Sequence, residues 1–447
     1  MSRWWTGAVG LALGVCTALG CGAVDEAREP VQDEAPPPAP MPVAQQDPRP
    51  DVVPAPPSGS WRSGDPLWSV QVSLPGAQDV VGLASDGAGG FILLARTHVV
   101  SDAGYTGVGN LVLTRYEAMG MQLWSRTLIV TPGPSGTNLP QSSALAVSRT
   151  GDIFVALQVW GGGTLLLGDS PPAGDRFIAK FSADGTVRWA RDGEASALAA
   201  DGEGGVVAVT QRGAVSCYDA QGARQWTWTS PEASRVFTTV AVDPEGNIVA
   251  AGHELVDMSY GAGFILGLSP SGAERWWSTT PPEAGWANFS DLAILPDGVL
   301  LLTGTVKQSF LWGNYRVNRA CATGAPCTPA TTLLAADARG QPLWAEELEG
   351  YAISPRLAVS PDGDALVFWE SSCNSRVMRL SPAGEVRWRF EDLSGPCTQD
   401  MLLPRDIEFL RDGTLVRAGV FRGPRTFSGG ASFIADEGDL YLQRLNP

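Results

Sequence analysis

The sequence predicts an all-β chain: a single seven-bladed β-propeller of four-stranded blades, closed by its own N-terminal strand. Three observations predict it. A ten-residue phrase recurs along the chain. Its seventh copy is divided between the two ends. The composition, with 53 Gly, 34 Pro and only 17% charged residues in 447, suits short strands separated by many tight turns.

The phrase is an apolar strand, a polar turn ending in Gly, and Trp four residues after that Gly. It reads RYEAMGMQLW to Trp124, KFSADGTVRW to Trp189, CYDAQGARQW to Trp226, GLSPSGAERW to Trp276, AADARGQPLW to Trp344 and RLSPAGEVRW to Trp388. The chain finishes with RLNP at Pro447, and the folded region opens with SGDPLW from Ser63 to Trp68. Joined, the two ends reproduce the RLSPAGEVRW copy. A linear solenoid has no reason to divide a repeat inside a hairpin turn. A ring does, because pairing the N-terminal strand as the outer strand of the last blade removes the open seam.

Seven upstream halves match the seven Trp motifs, for example TTVAVDPEGNIVAAGHE and PRLAVSPDGDALVFWES. Each has an inner strand, an Asp/Gly turn and a second apolar strand, which are hairpin signals. A blade therefore comprises strands A, B, C and outer D, with D carrying the Trp. Strand A places Ala at one equivalent position, Ala84, Ala146, Ala199, Ala241, Ala293 and Ala358, as crowding around a central channel favours. The last blade has Glu408 there, read as a solvated residue near a wet channel mouth or else as a ligand or ion contact. The repeated Trp68, Trp124, Trp189, Trp226, Trp276, Trp344 and Trp388 are read as structural. Each should bury its ring between blades with the indole N–H on a carbonyl. The turn residues Asp86, Asp201, Asp243, Asp297, Asp362 and Asp412 suit Asx turns, and no turn gathers carboxylates at calcium-ligand spacing.

Ahead of the repeat, residues 1–20 hold Arg3 and an apolar run from Ala8 to Leu19, too short to span a bilayer as a mature helix. They read as a signal peptide. The sequence Ala18, Leu19, Gly20, Cys21 resembles a lipobox, which implies cleavage before Cys21 and its lipidation; acyl chains on one residue can hold a soluble domain at a membrane. Residues 21–62 are rich in Pro, Ala, Asp and Glu with almost no large apolar side chain, and read as a disordered tether. At about 3.1 Å per residue it could reach on the order of 100 Å. Residues 63–447 form the propeller. The destination is exported and lipid-anchored, at the outer membrane or cell surface. A net charge of −16 disfavours nucleic acid as a partner.

The Gly-to-Trp phrase resembles the tryptophan-docking repeat of pyrroloquinoline-quinone-type propellers, including the lipoprotein subunit of the outer-membrane barrel-assembly machine. The upstream half, especially VDPEGNIVAAG from Val242 to Gly252, is similar to β-propeller repeats of secreted bacterial lipoproteins. Such lipoproteins often carry an aromatic-plus-glycine phrase between strands B and C, seen here as WGGGTLLL from Trp160, WGNYRV from Trp312 and FSGGASF from Phe427. The resemblance covers Ser63 to Pro447 and implies fold more than function.

No catalytic constellation is evident. His98 and His253 fall in different blades, and no GxSxG phrase, phosphate-cradling loop or CxxC site is present. No metal or cofactor is expected, and no two cysteines are adjacent as in quinone-dependent dehydrogenases. Of seven cysteines, five remain after cleavage and lipidation. Export permits the disulfides Cys321–Cys327 and Cys373–Cys397, leaving Cys217 as a small buried hydrophobe. The B-to-C and D-to-A connections share one face, where loops vary on a rigid frame. There Trp286, Phe289, Phe310, Trp312, Tyr315, Arg316 and Arg319 make an aromatic, basic candidate partner surface, or pack down as a cap. The leading reading is a monomeric, non-enzymatic envelope lipoprotein that binds a protein or polysaccharide. The alternatives are an outer-membrane assembly factor and an extracytoplasmic hydrolase or quinone-type dehydrogenase with a channel site.

Overall fold

A computed structural model describes residues 52–54 and 65–446, except 99, 102–103, 106–108, 132–139, 160–163, 167–174, 257–258, 282–286, 318–328, 349, 351, 353–354, 372–373, 394–401 and 428–429. The signal segment, Cys21 and most of the tether lie outside these residues, as do Trp286, Arg319, Cys321, Cys327, Cys373 and Cys397. Every described regular element is a strand. Seven antiparallel sheets follow one another along the chain as the blades of a seven-bladed β-propeller.

Blade one begins at Ala77–Ser85 and ends at Gln122–Thr131, whose outer edge also takes the short strand Thr164–Leu166 from the B-to-C connection of blade two. Blade four comprises Arg235–Val242, Ile248–Val256, Ser259–Leu268 and Glu274–Thr279. Blade five comprises Ala287–Ile294, Leu300–Val306, Ala330–Ala336 and Pro342–Leu348. Its B-to-C connection carries an extra hairpin, Phe310–Trp312 with Tyr315–Val317.

Closure follows the division of the repeat. Blade seven runs Leu402–Phe409, Leu415–Thr426, Ser432–Leu445 and then Pro66–Val72, with Trp68 opposite Arg444 and Val70 opposite Leu442. The Asn446 N–H donates to the Asp65 carbonyl at 2.8 Å, locking the ends together. Within the span read as tether, Val52–Pro54 add a fifth strand outside Pro66–Val72. An edge strand is an available pairing surface, and here the chain covers its own.

The Trp of each blade docks on the next blade. Trp68, Trp124, Trp189 and Trp226 donate their Nε1–H to the carbonyls of Ala118, Ala183, Ala220 and Pro270 at 2.9–3.1 Å. Each acceptor lies two residues before the Gly of the following phrase. That Gly has φ near +80°, and its Cα presses on the ring: a Cβ on Gly222 would meet Trp189 at 2.6 Å, and one on Gly340 would meet Trp276 at 2.5 Å. Two constraints therefore require glycine, backbone sign and ring contact. Extending the register, the acceptor for Trp388 falls on Pro447, outside the described residues; the buried Trp388 Nε1 has no described partner.

Candidate functional site

The channel is where six blades agree and one departs. Ala84, Ala146, Ala199, Ala241, Ala293 and Ala358 hold the register position that Glu408 takes in blade seven. Two residues earlier the ring reads Gly82, Ala144, Ala197, Thr239, Asp291, Arg356 and Asp406, small in blades one to three and polar in four to seven. The two aspartates are clamps between blades. Asp291 accepts the N–H of Leu292 and, across to blade six, of Leu357, both at 2.9 Å. Asp406 accepts the N–H of Ile407 at 3.0 Å and, across to blade one, of Leu83 at 2.8 Å.

Burial dominates the acidity of this cluster. It pushes the Asp406 carboxyl up to about 6 despite the nearby Arg356 and the Leu83 amide, and it raises Asp291. Glu408 rises well above the ordinary carboxylate range, first from burial and then from the charges of Asp406 and Asp291. Glu408, read as a solvated residue near the channel mouth, is half-buried, and its carboxyl is pushed well above the ordinary range by that burial and by its acidic neighbours. Among the described residues no three His, Cys, Asp or Glu side chains are placed to hold a metal ion. His98 ends strand B of blade one and His253 lies buried in strand B of blade four, each made less basic by burial.

Of the two readings of the aromatic surface, burial favours the cap for three of its residues. Phe289, Phe310 and Trp312 are at most 4% exposed and belong to the core shared by blades four and five. The Trp312 Nε1–H donates to the Ala335 carbonyl at 2.9 Å. The hairpin turns its alternate face outward, so Leu311 and Arg316 are exposed, with Tyr315 at its tip. Phe427 of the third aromatic-glycine phrase likewise packs on Phe421, Phe433 and Tyr441. Cys217 is half-buried in strand C of blade three, where burial pushes its thiol up to about 11.

A different site emerges on the opposite face, formed by the A-to-B and C-to-D turns. The first residue of the repeated phrase reads Arg115, Lys180, Cys217, Gly267, Ala335, Arg379 and Arg444. In four blades this basic side chain reaches a carboxylate in its own blade: Arg115 to Asp86 at 2.7 Å, Lys180 to Asp152 and Arg379 to Asp364 at 2.8 Å, and Arg444 to Asp412. Three of them also bridge to a turn carbonyl of the following blade, Arg115 to Ala183, Lys180 to Gly204 and Arg444 to Ala118. These side chains fill the grooves between blades.

Blade four has Gly267 at that position, and its groove is open. A cleft of about 360 Å³ lies between the turns of blades four and five, lined by Asp243, Glu245, Asn247, Asp297, Ala338 and the indole of Trp276. None of its three carboxylates is in an ion pair within 4 Å among the described residues. Trp276 leans across the glycine, so that a Cβ on Gly267 would lie 2.2 Å from the ring. By contrast, a smaller cleft of about 280 Å³ between blades five and six is crossed by the ion pair Arg389–Glu346 and flanked by Arg376–Glu391 within blade six. The glycine was visible in the sequence as the first letter of GLSPSGAERW. Its meaning required knowing that this position points into the neighbouring groove.

Fold and grooves together define a seven-bladed, tryptophan-docked β-propeller. No protein-family profile matches the chain, and no curated protein matches its sequence. Among solved structures it is similar to BamB from Moraxella catarrhalis, at 14% identity and a TM-score of 0.41 over 84% of this chain and 99% of that one. It is also similar to the Dos1 propeller, at 13% identity and a TM-score of 0.38 over 66% of this chain and 71% of that one. The seven-bladed count rests on the strand topology.

Proposed function

We propose that this chain is a non-catalytic binding propeller displayed at the bacterial envelope. Lipidated Cys21 and the Pro-rich tether carry it at the outer membrane or cell surface, and the rigid ring presents a recognition groove to a protein or polysaccharide partner. The supporting observation is the open cleft between blades four and five, where the repeat lacks the side chain that fills the corresponding groove in four other blades. Gly267 makes room for the Trp276 ring and leaves the carboxylates of the cleft without the basic side chain that reaches them in those four blades.

The test is capture from detergent-solubilised membranes by the immobilised full-length protein, followed by reconstitution with the purified component. Saturable, stoichiometric binding of one envelope protein or polysaccharide supports the reading. Recovery of barrel-assembly subunits would favour the assembly-factor alternative. Turnover of a captured component, lost in Glu408→Ala, would replace binding with channel catalysis. Cys21→Ser is expected to move the chain from the membrane fraction to the soluble fraction.

A further inference from the structure

We propose that the cleft between blades four and five receives a guanidinium or ammonium side chain from a partner protein. The inference rests on the binding role above and names its chemistry. In the filled grooves the basic side chain meets own-blade carboxylates at three turn positions, represented by Asp86, Asp412 and Asp152. In blade four those positions are Asp243, Glu245 and Asn247. It also meets two carbonyls of the following blade, represented by Ala183 and Gly204, whose counterparts here belong to Ala338 and Gly298. All five counterparts line the cleft, together with Asp297. The chain has kept the acceptors of a cation and deleted the cation.

The groups present suit a visiting cation physically. Asp243 spends one oxygen on the Asn247 N–H at 2.7 Å and the other on the Asn247 Nδ2–H at 2.8 Å. Each carboxylate oxygen has a second lone pair available. Among the described residues Asp297 accepts only the Val299 N–H, at 3.1 Å. The Trp276 ring borders the same space, packed against Gly267 and Gly340. Arg275, which also lines the cleft, is exposed and forms no ion pair among the described residues. Blades three and five retain at least a Cβ at this position in Cys217 and Ala335, whereas blade four retains nothing. Partner recognition then amounts to supplying in trans what Arg115 and Lys180 supply in cis.

Calorimetric titration of the full-length protein at low salt with acetyl-Gly-Arg-Gly-amide, against acetyl-Gly-Gln-Gly-amide, tests this. The arginine peptide is expected to bind about tenfold more tightly than the glutamine peptide, and the Asp243→Asn/Asp297→Asn double variant to lose about tenfold for the arginine peptide alone. Asn keeps an oxygen for the backbone N–H of Asn247 and of Val299, so the turns are retained and only the Asn247 side-chain contact to Asp243 is lost. Gly267→Arg fills the groove from within and should abolish binding; should it fail to fold, Glu245→Gln added to the double variant replaces it. Equal affinity for the two peptides, or unchanged arginine binding in the double variant, would overturn the proposal. Capture of an envelope partner equally by the wild type and the double variant would leave the binding role standing and remove it from this cleft.

Discussion

Asp406, Asp291 and Glu408 illustrate how one side chain can serve the ring and cost it stability. Asp406 ties blade seven to blade one through the Leu83 amide, yet burial lifts its carboxyl to about 6. An acid whose folded pKa is raised contributes stability that is complete below its unfolded value and is lost as pH rises through the folded one. Melting temperature is therefore expected to fall as pH rises from about 4 to beyond 6, with Glu408 extending the decline further. Glu408→Ala, which restores the residue of the other six blades, should flatten the upper part of this profile in differential scanning calorimetry. An unchanged slope would place the titration elsewhere. Asp184 works in the opposite sense: the Ser182 hydroxyl and the Thr186 amide hold its carboxyl at about 2. Its contribution is present above the ordinary carboxylate range and lost only as pH falls towards 2.

At the scale of the element, the blade-five hairpin separates packing from presentation. Phe310, Trp312 and Val317 face the core, while Leu311, Arg316 and the tip residue Tyr315 face solvent. Truncating a buried aromatic leaves a cavity, so Trp312→Ala should cost about 3–5 kcal/mol in chemical denaturation, and Tyr315→Ala or Arg316→Ala within about 0.5 kcal/mol of zero. Similar losses for all three would mean that the hairpin's outer face also packs. The phrase at Trp312 thus caps the core between blades four and five, and the one at Phe427 packs within blade seven. Alternation along WGNYRV could not reveal which face was inward, because a hairpin outside the sheet has no register with the four-stranded blade.

The whole molecule depends on a ring whose last sheet is made from both ends of the chain. Removing residues 61–72 takes away the strand carrying Trp68, which is 1% exposed and packs on Gly120 of blade one. It also exposes the edge of Ser432–Leu445. The truncated protein should lose its cooperative thermal transition or melt far lower. A melting curve matching the intact chain would show that this strand does not hold the ring closed. The same architecture explains why the candidate site lies between blades: a repeated side chain that reaches the groove in four blades is missing from blade four.

The blade number, the split seventh repeat, the structural role of the tryptophans and the small inner ring were legible in the sequence because each is a periodic requirement, restated seven times by packing. Positions that break the period were visible as letters but not as chemistry. Glu408 looked solvated until its neighbours across the channel were known. Phe289, Phe310 and Trp312 were legible as either a partner surface or a cap, and their burial decides for the cap. Gly267 carried no signal beyond its small size until the adjoining turn of blade five supplied the other wall of its cleft. Burial and charge proximity depend on residues far apart in the chain, and blade-to-blade packing alone brings those residues together.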